Sequence, residues 1–420
     1  MKVNNYNPEQ LQAIESGEAK IFVTAPPGSG KSATLIEAAR RFHTENPNYK
    51  ITVITFTRKA TQEIKDRIGE IGDIEISTIH SWAWKRLSEI GNEYGFVPQL
   101  LEEETIKIIL KRLCSIRKQY YINQFMLYNY VMGNYNIDVD DRTKRSFETI
   151  ALDYIKFKRK NSLYDFTDLP LYLYDMMNEY EVDINDIDGL FVDEFQDVDE
   201  VQLAVFNKVN CKKKFYIGDP RQSIYQFRSA VDDVISRLTG FTFYNLTRNY
   251  RSYQEIIDYA ETVRGQGKIV IEDGGTLIAS SIDYIDTSDI ICDRGFGGKV
   301  VAVSTYGKAT DCITAAEVND SLAVKEFLTD NKTQILCRSN KQVKKLQSLG
   351  FTNVSTVHQA KGLEYDNVIV VDAPITGNEE LNICYVAITR AKNKVMTIPF
   401  EVLLNIICKD KVEPMGNKLF

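Results

Sequence analysis

The sequence has little of what would mark it for a membrane, an export route or a metal centre. It contains no run of about eighteen apolar residues, the length a spanning helix needs. Its N-terminal MKVNNYNPEQ lacks the apolar stretch and the small-residue cleavage site of a signal peptide. The expectation is a cytoplasmic protein with no membrane partner. Seven cysteines (Cys114, Cys211, Cys292, Cys312, Cys337, Cys384, Cys408) stand singly, without a Cys-x-x-Cys pair, and only three histidines accompany them. That pattern offers neither a disulfide framework nor a zinc site and predicts reduced thiols. A basic surplus is missing too: the formal charge is −7, the opposite of most domains that bind polyanions without specificity. Cations do cluster locally at Arg58-Lys59, Lys156 to Lys160 and Lys341 to Lys345, so a positive groove on an acidic body stays open. Any one of these runs alone reads as a solvated helix face. No internal repeat, low-complexity tract or long flexible linker occurs.

What is present is ordinary globular material, 420 residues with 44% hydrophobic and 26% charged, enough for two or three cores. Short β-branched runs alternate with helical patterns: IFVTA (21 to 25), a helix from Ser32 to about His43, ITVITF (51 to 56), then a helix through Ile68. This alternation predicts βαβ units and a parallel sheet. GLFVDE (189 to 194) and KFYIGD (214 to 219) supply two further buried strands. Between the two blocks, residues 85 to 164 are rich in Tyr, Lys, Ile and Leu and poor in Gly and Pro, which predicts a helical insertion. From about Ser252, strand-like runs KVVAVS (299 to 304), TQILCR (333 to 338) and NVIVVDAP (367 to 374) alternate with helical stretches at 314 to 328 and 379 to 391. The fold class expected is therefore α/β, with two parallel-sheet domains: 1–84 with 165–250, interrupted by the insertion 85–164, and 251–420.

The segment APPGSGKS (25 to 32) follows an apolar strand and opens a helix, the context of a phosphate loop. Ala25, Pro26, Pro27, Gly28, Ser29 and Gly30 form the wrap, the two glycines letting backbone N–H groups turn toward phosphate. Lys31 offers a point charge to the β/γ oxygens and the Ser32 hydroxyl suits Mg²⁺. VDEFQD (192 to 197) ends another strand with adjacent acids. There Asp193 is placed to face the metal and Glu194 to polarise an attacking water. Two such elements in this order favour hydrolysis of a nucleoside triphosphate over binding alone.

With these residues, and others in order from Tyr6 to Arg390, the chain resembles superfamily-1 helicases of the UvrD/Rep/PcrA group. NPEQ (7 to 10) is similar to the adenine-reading Q motif, implying that Gln10 reads the base. TFTRKATQEI (55 to 64) and STIHSW (77 to 82) resemble DNA-contacting motifs, which implies contacts from Phe56, Thr57, His80 and Trp82. YDFTDL (164 to 169) resembles a segment just before the acidic strand. GDPRQSIYQFRSA (218 to 230) implies a γ-phosphate sensor at Gln222 and DNA contacts at Phe227 and Arg228. LTRNYRS (246 to 252) implies adenine stacking by Tyr250 and a γ-phosphate contact by Arg251. STVHQAKGLEYDNVIV (355 to 370) and YVAITRA (385 to 391) imply DNA contacts at Thr356 and His358, a nucleotide contact at Glu364 and an arginine finger at Arg390.

The resemblance implies two RecA-like P-loop domains, ATP and Mg²⁺ as cofactors, and translocation on single-stranded DNA with 3′ to 5′ unwinding. Single-stranded DNA, duplex junctions and replication or repair proteins are the implied partners, and the expected state is a monomer. The alternative from the same motifs is a DNA-stimulated ATPase that displaces proteins without efficient unwinding. The pattern departs from the family at three places. Ala33 stands where a basic residue commonly packs on adenine, and Phe227 where Trp is usual. Only residues 341 to 354 separate Arg338-Ser339-Asn340 from the fifth motif, where family members carry a large mobile subdomain.

Overall fold

The computed structural model describes residues 6–69, 74–132, 139–224, 234–265, 291–292, 294, 297–303, 309–310, 317–318, 320–372 and 378–410. They form an α/β fold on two main sheets, the arrangement of two RecA-like sheets that the motifs imply. The first holds β1 (Lys20–Thr24), β2 (Ile51–Thr55), β3 (Ile74–Thr78), β4 (Gly189–Val192), β5 (Lys213–Gly218) and β6 (Thr242–Asn245), in the order β3-β2-β4-β5-β1-β6. Every residue of β2, β4 and β5 is buried, which is why their sequences are continuous rather than alternating apolar runs. After it come β7 (Arg248–Asn249) and β8 (Ile291–Cys292), a short parallel pair.

The second sheet holds β9 (Lys299–Val303), β10 (Ala309–Thr310), β11 (Glu317–Val318), β12 (Thr333–Cys337), β13 (Val354–Thr356), β14 (Tyr365–Val371) and β15 (Ala391–Ile398). Its order is β11-β10-β9-β15-β14-β12-β13. The body is parallel, but β10 pairs antiparallel with both β9 and β11, so one edge departs from the all-parallel expectation.

The chain forms two compact units. One contains the described residues of Met1–Leu35, Glu194–Asp197 and Tyr216–Phe420. Its second sheet is covered on both faces, and β14 shows how: Val368 and Val370 enter one core, Ile369 and Val371 the other, the two-residue period of a strand. The helices Gln254–Gly265 and Asn378–Ile388 pack on the first face, and Asp320–Leu328, Asn340–Ser348 and Phe400–Asp410 on the second. The single helix Asn340–Ser348 and the strand β13 fill the stretch in which family members carry their mobile subdomain.

The other unit contains the described residues of Ile36–Asp193 and Val198–Phe215. Among its described residues, the stretch 85 to 164 contains the end of the helix Ile79–Tyr94 and the helices Glu103–Ile116, Gln124–Val131 and Asp141–Lys160. The last three share a core of Ile106, Leu110, Leu127, Phe147, Ile150 and Tyr154. The basic run 156 to 160 is not a uniform cationic face. Lys158 is buried and donates to Asp165 at 2.7 Å and to Asp168, while the Tyr154 hydroxyl donates to Asp165 at 2.9 Å. Lys156, Arg159 and Lys160 remain exposed. Among the described residues no helix is long and apolar enough to cross a membrane.

Candidate active site

The phosphate loop connects β1 to the helix Lys31–Glu45, so its backbone N–H groups meet at a helix N-terminus. Gly28 (φ 73°) and Gly30 (φ 80°) occupy the left-handed region, which costs glycine nothing. There is also no room for more: a Cβ on Gly28 would lie 2.7 Å from the Arg251 Cβ, and one on Gly30 2.7 Å from the Gln10 Nε2. The loop is thus packed directly against two motif residues far away in sequence.

Gln10 arrives on the helix Pro8–Ile14, whose start is fixed by a capping box between Asn7 and Gln10 with Pro8 at the first turn. Its side chain accepts from the Asn7 N–H at 3.0 Å and donates to the Ser29 carbonyl at 3.0 Å. Asn7 donates to the Tyr250 hydroxyl at 2.8 Å, which ties the half-exposed Tyr250 ring to the same edge of the loop. Tyr250 donates its N–H to the Gly28 carbonyl at 2.8 Å.

Glu194 faces Lys31, and the two side chains form an ion pair. Burial opposes ionisation of Glu194, but the charges of Lys31 and Lys361 and the hydrogen bonds from Lys31 and Gln196 outweigh it and hold the carboxyl well below the usual carboxylate range. Its backbone is in the left-handed region at φ 49°, an uncommon conformation for a residue with a Cβ and one that recurs at functional sites. Asp193 directly follows β4 in the other unit, where it is buried and its N–H donates to the Ile54 carbonyl at 3.0 Å. Among the described residues no group of three or more His, Cys, Asp or Glu could hold a metal. The Ser32 hydroxyl at the loop is an oxygen donor of the kind that suits Mg²⁺, which binds with one or two protein ligands when substrate phosphates and water complete its shell.

Two arginines close the site. Arg390 is buried and donates to the carbonyls of Val386 (3.0 Å) and Leu363 (3.2 Å) and to the Gln222 Oε1 (3.2 Å). Burial, and next the charge of Arg251, bring its guanidinium down to about 9. Gln222 in turn donates to Asp219 at 3.0 Å. Arg251 donates to Glu364 at 2.7 Å, and Glu364 also takes Lys392 at 2.6 Å. The predicted residues Gln10, Lys31, Glu194, Gln222, Tyr250, Arg251, Glu364 and Arg390 therefore all lie in one unit, linked to the loop or to one another.

Three participants escaped the motif reading. Buried Asn249 donates to the Pro27 carbonyl at 2.6 Å and accepts from the N–H groups of Arg251 and Ser252 at 2.8 Å each, fixing where the Arg251 side chain starts. Lys361 binds Asp197 at 2.6 Å. Arg221, buried, bridges Asp219 (2.9 Å) and Glu261 (2.7 Å) beneath the Tyr385 ring. Each sits inside a motif, but nothing in its residue type announces these contacts.

The DNA-side residues divide. Phe56 is partly exposed, and Thr57 is exposed and caps the helix Arg58–Ile68 by accepting from the Ala60 N–H at 3.1 Å. His80 lies parallel to the half-exposed Phe166 ring, with centroids 5.3 Å apart. Trp82 requires a correction. It is fully buried against Phe206, with the Arg86 guanidinium over its ring, so the indole packs a core and presents no face to a base. Thr356 is fully buried as well, capping the turn Val357–Ala360, while His358 is partly exposed. Burial, and then the Arg338 charge, lower His358 to about 4, so it is neutral near pH 7. Phe227 and Arg228 lie outside the described residues.

The family model of the UvrD/REP helicase N-terminal domain matches residues 6–241, and that of the UvrD-like helicase C-terminal domain matches residues 352–398. Among known proteins, the Gabija protein GajB of Bacillus cereus is 25% identical, across 92% of this chain and 94% of its own. A probable DNA helicase II homolog of Mycoplasma capricolum is 28% identical over 61% of this chain and 40% of its own length. The ATP-dependent DNA helicase PcrA of Staphylococcus aureus is 28% identical over 62% and 40%. The chain thus spans nearly all of the first relative and about two fifths of the other two. With one family model covering more than half of the sequence, and the phosphate loop packed against residues of two other motifs, Gln10 and Arg251, the chain is an ATP-hydrolysing enzyme that belongs to the UvrD/REP helicase family.

Proposed function

We propose that the protein is an ATP-dependent DNA helicase and single-stranded DNA translocase that works 3′ to 5′ and yields ADP and phosphate. The observation that carries this is that Lys31, Glu194, Gln222, Arg251 and Arg390 belong to one compact unit, in which Lys31 pairs with Glu194, Arg251 packs against Gly28 of the loop and Arg390 donates to Gln222. In this reading ATP displaces Lys31 from Glu194, Tyr250 and Gln10 hold the adenine, and Arg251 and Arg390 grip the γ-phosphate. Mg²⁺ bound beside Ser32 and Asp193 would neutralise phosphate charge. Loss of the γ-phosphate releases the arginines, and that change moves the DNA track. Phe56, His80, His358 and Phe227 are assigned to the strand, aromatic stacking being worth about 1–3 kcal/mol per base and tolerant of sequence. The domain boundaries 1–84 with 165–250, 85–164 and 251–420 belong to the same proposal, as do monomeric action and replication or repair partners.

A second reading, an ATPase that strips proteins from DNA without efficient unwinding, is favoured by one observation. The helix Asn340–Ser348 stands where the resemblance implies a mobile subdomain that regulates unwinding in relatives. Strand separation on 3′-tailed and 5′-tailed duplexes, run beside displacement of a protein roadblock, decides between the two. Unwinding of the 3′-tailed substrate alone supports the helicase. Roadblock displacement without unwinding supports the alternative.

With that subdomain missing, the duplex contact falls to the helical insertion and its exposed Lys156, Arg159 and Lys160. Neutralising these three should slow unwinding of the 3′-tailed duplex more than it slows DNA-stimulated ATP turnover. It should also flatten the salt dependence of binding by up to about three counterions. Lys158 must be left in place, since removing it strands the buried Asp165 carboxylate and the partly buried Asp168, a cost of about 3–5 kcal/mol that would confound unwinding with unfolding. Equal loss of both activities, or of neither, assigns duplex contact elsewhere.

A further inference from the structure

Gln196 stands two residues beyond Glu194, in the short 3₁₀ turn Phe195–Asp197 that ends the acidic motif, and the motifs assign it no role. Its side chain is almost entirely buried, yet both ends of its amide are used. The Nε2 donates to the Glu194 Oε2 at 2.6 Å. The Oε1 accepts from the backbone N–H of Asp219 at 2.9 Å. Asp219 follows β5 and also receives the Gln222 amide, so Gln196 spans the gap between the acidic motif and the γ-phosphate sensor. The neighbouring residue is shaped around it. A Cβ on Gly218 would lie 2.5 Å from the Gln196 Oε1, and only glycine leaves the amide its place.

Glu194 needs such a brace. Its left-handed backbone does not fix the carboxylate by itself, and one of its grips is the ion pair with Lys31. On the proposed reading Lys31 turns to the phosphates when ATP binds, which removes that grip at the moment when Glu194 must face water. Gln196 is a side chain already bonded to Glu194 that has no phosphate to bind. We infer that Gln196 is a positioning residue: it holds the Glu194 carboxylate toward the attacking water after Lys31 has left, and ties that orientation to the backbone of the γ-phosphate sensor loop.

The inference rests on Glu194 being the base, so the experiment tests the two separately. Gln196→Met keeps the length and packing but removes both hydrogen bonds. Gln196→Glu keeps an acceptor for the Asp219 N–H and removes the donor to Glu194. Both should lower kcat by about 10- to 100-fold, the worth of a hydrogen bond to a charged group, with KM for ATP within about twofold of wild type. In a Glu194→Gln background neither should lower the residual rate further, because two residues that act as a unit are not additive. Wild-type kcat in both single variants, with Glu194→Gln inactive, overturns the role of Gln196 and leaves the base intact. Full activity of Gln196→Glu beside a slow Gln196→Met also overturns it, because the amide would then serve only the Asp219 loop. Normal turnover in Glu194→Gln itself overturns the base assignment instead. A loss confined to thermal stability, with kcat unchanged in the folded fraction, marks Gln196 as a packing residue and contradicts the inference.

Discussion

Glu194→Gln should lower ATP turnover by about 10²- to 10⁴-fold while leaving nucleotide affinity within a few fold of wild type. The amide has the size of the carboxylate and can keep the contact with Gln196, so the site retains its shape. What it cannot do is take a proton from water. Affinity should not fall, because Lys31 loses the acid it is paired with and is free to meet the phosphates. The comparison is a single-turnover hydrolysis rate beside an equilibrium titration with a fluorescent ATP analogue. Lys31→Ala provides the contrast, since that change removes charge from the phosphates and should weaken binding. Turnover near wild type in the Glu194 variant would take the role of base away from it.

Arg390→Ala should cost about 10³- to 10⁵-fold in kcat, in the absence and in the presence of DNA alike, as for other arginines that stabilise a transferring phosphoryl group. The structure shows why the residue is costly to hold. Its guanidinium is buried beside Arg251, and its three hydrogen bonds go to two carbonyls and the Gln222 amide, with no carboxylate among them. A cation kept in such surroundings has an anion to meet. Because a buried arginine also packs, Arg390→Lys belongs in the same experiment. It keeps the charge but loses the planar fork, and should recover stability with little of the rate. If Arg390→Ala retained kcat within a few fold at unchanged melting temperature, the finger would have to be sought at Arg251.

Much of the fold was legible because the buried strands announce themselves. IFVTA, ITVITF, GLFVDE and KFYIGD became β1, β2, β4 and β5 within a residue or two. The strands that went unread are β3, β6, β7, β8, β10, β11, β13 and β15; β7, β8, β10 and β11 have two residues each, and β11 falls in the stretch 314 to 328 read as helical. In β6 every second residue is exposed, β13 has three residues, and β15 opens with Lys392-Asn393-Lys394, so none offers a continuous apolar run. The nucleotide side of the site was legible for another reason: phosphate chemistry demands particular residue types in a particular order. The DNA side was less so. An aromatic residue in a motif can face a strand or a core with the same letter, and Trp82 faces the core. The run 156 to 160 misled in the same way, because the acids that claim Lys158 lie seven and ten residues away, beyond the reach of one helical turn.

The most direct test of ATP-driven movement on single strands is the steady-state ATPase rate of the intact chain with and without single-stranded DNA. Strong stimulation by unpaired DNA, absent with blunt duplex and lost in Glu194→Gln, is the predicted result. A rate that is the same with and without single-stranded DNA, in protein that binds ATP and hydrolyses it normally, would contradict the proposed coupling.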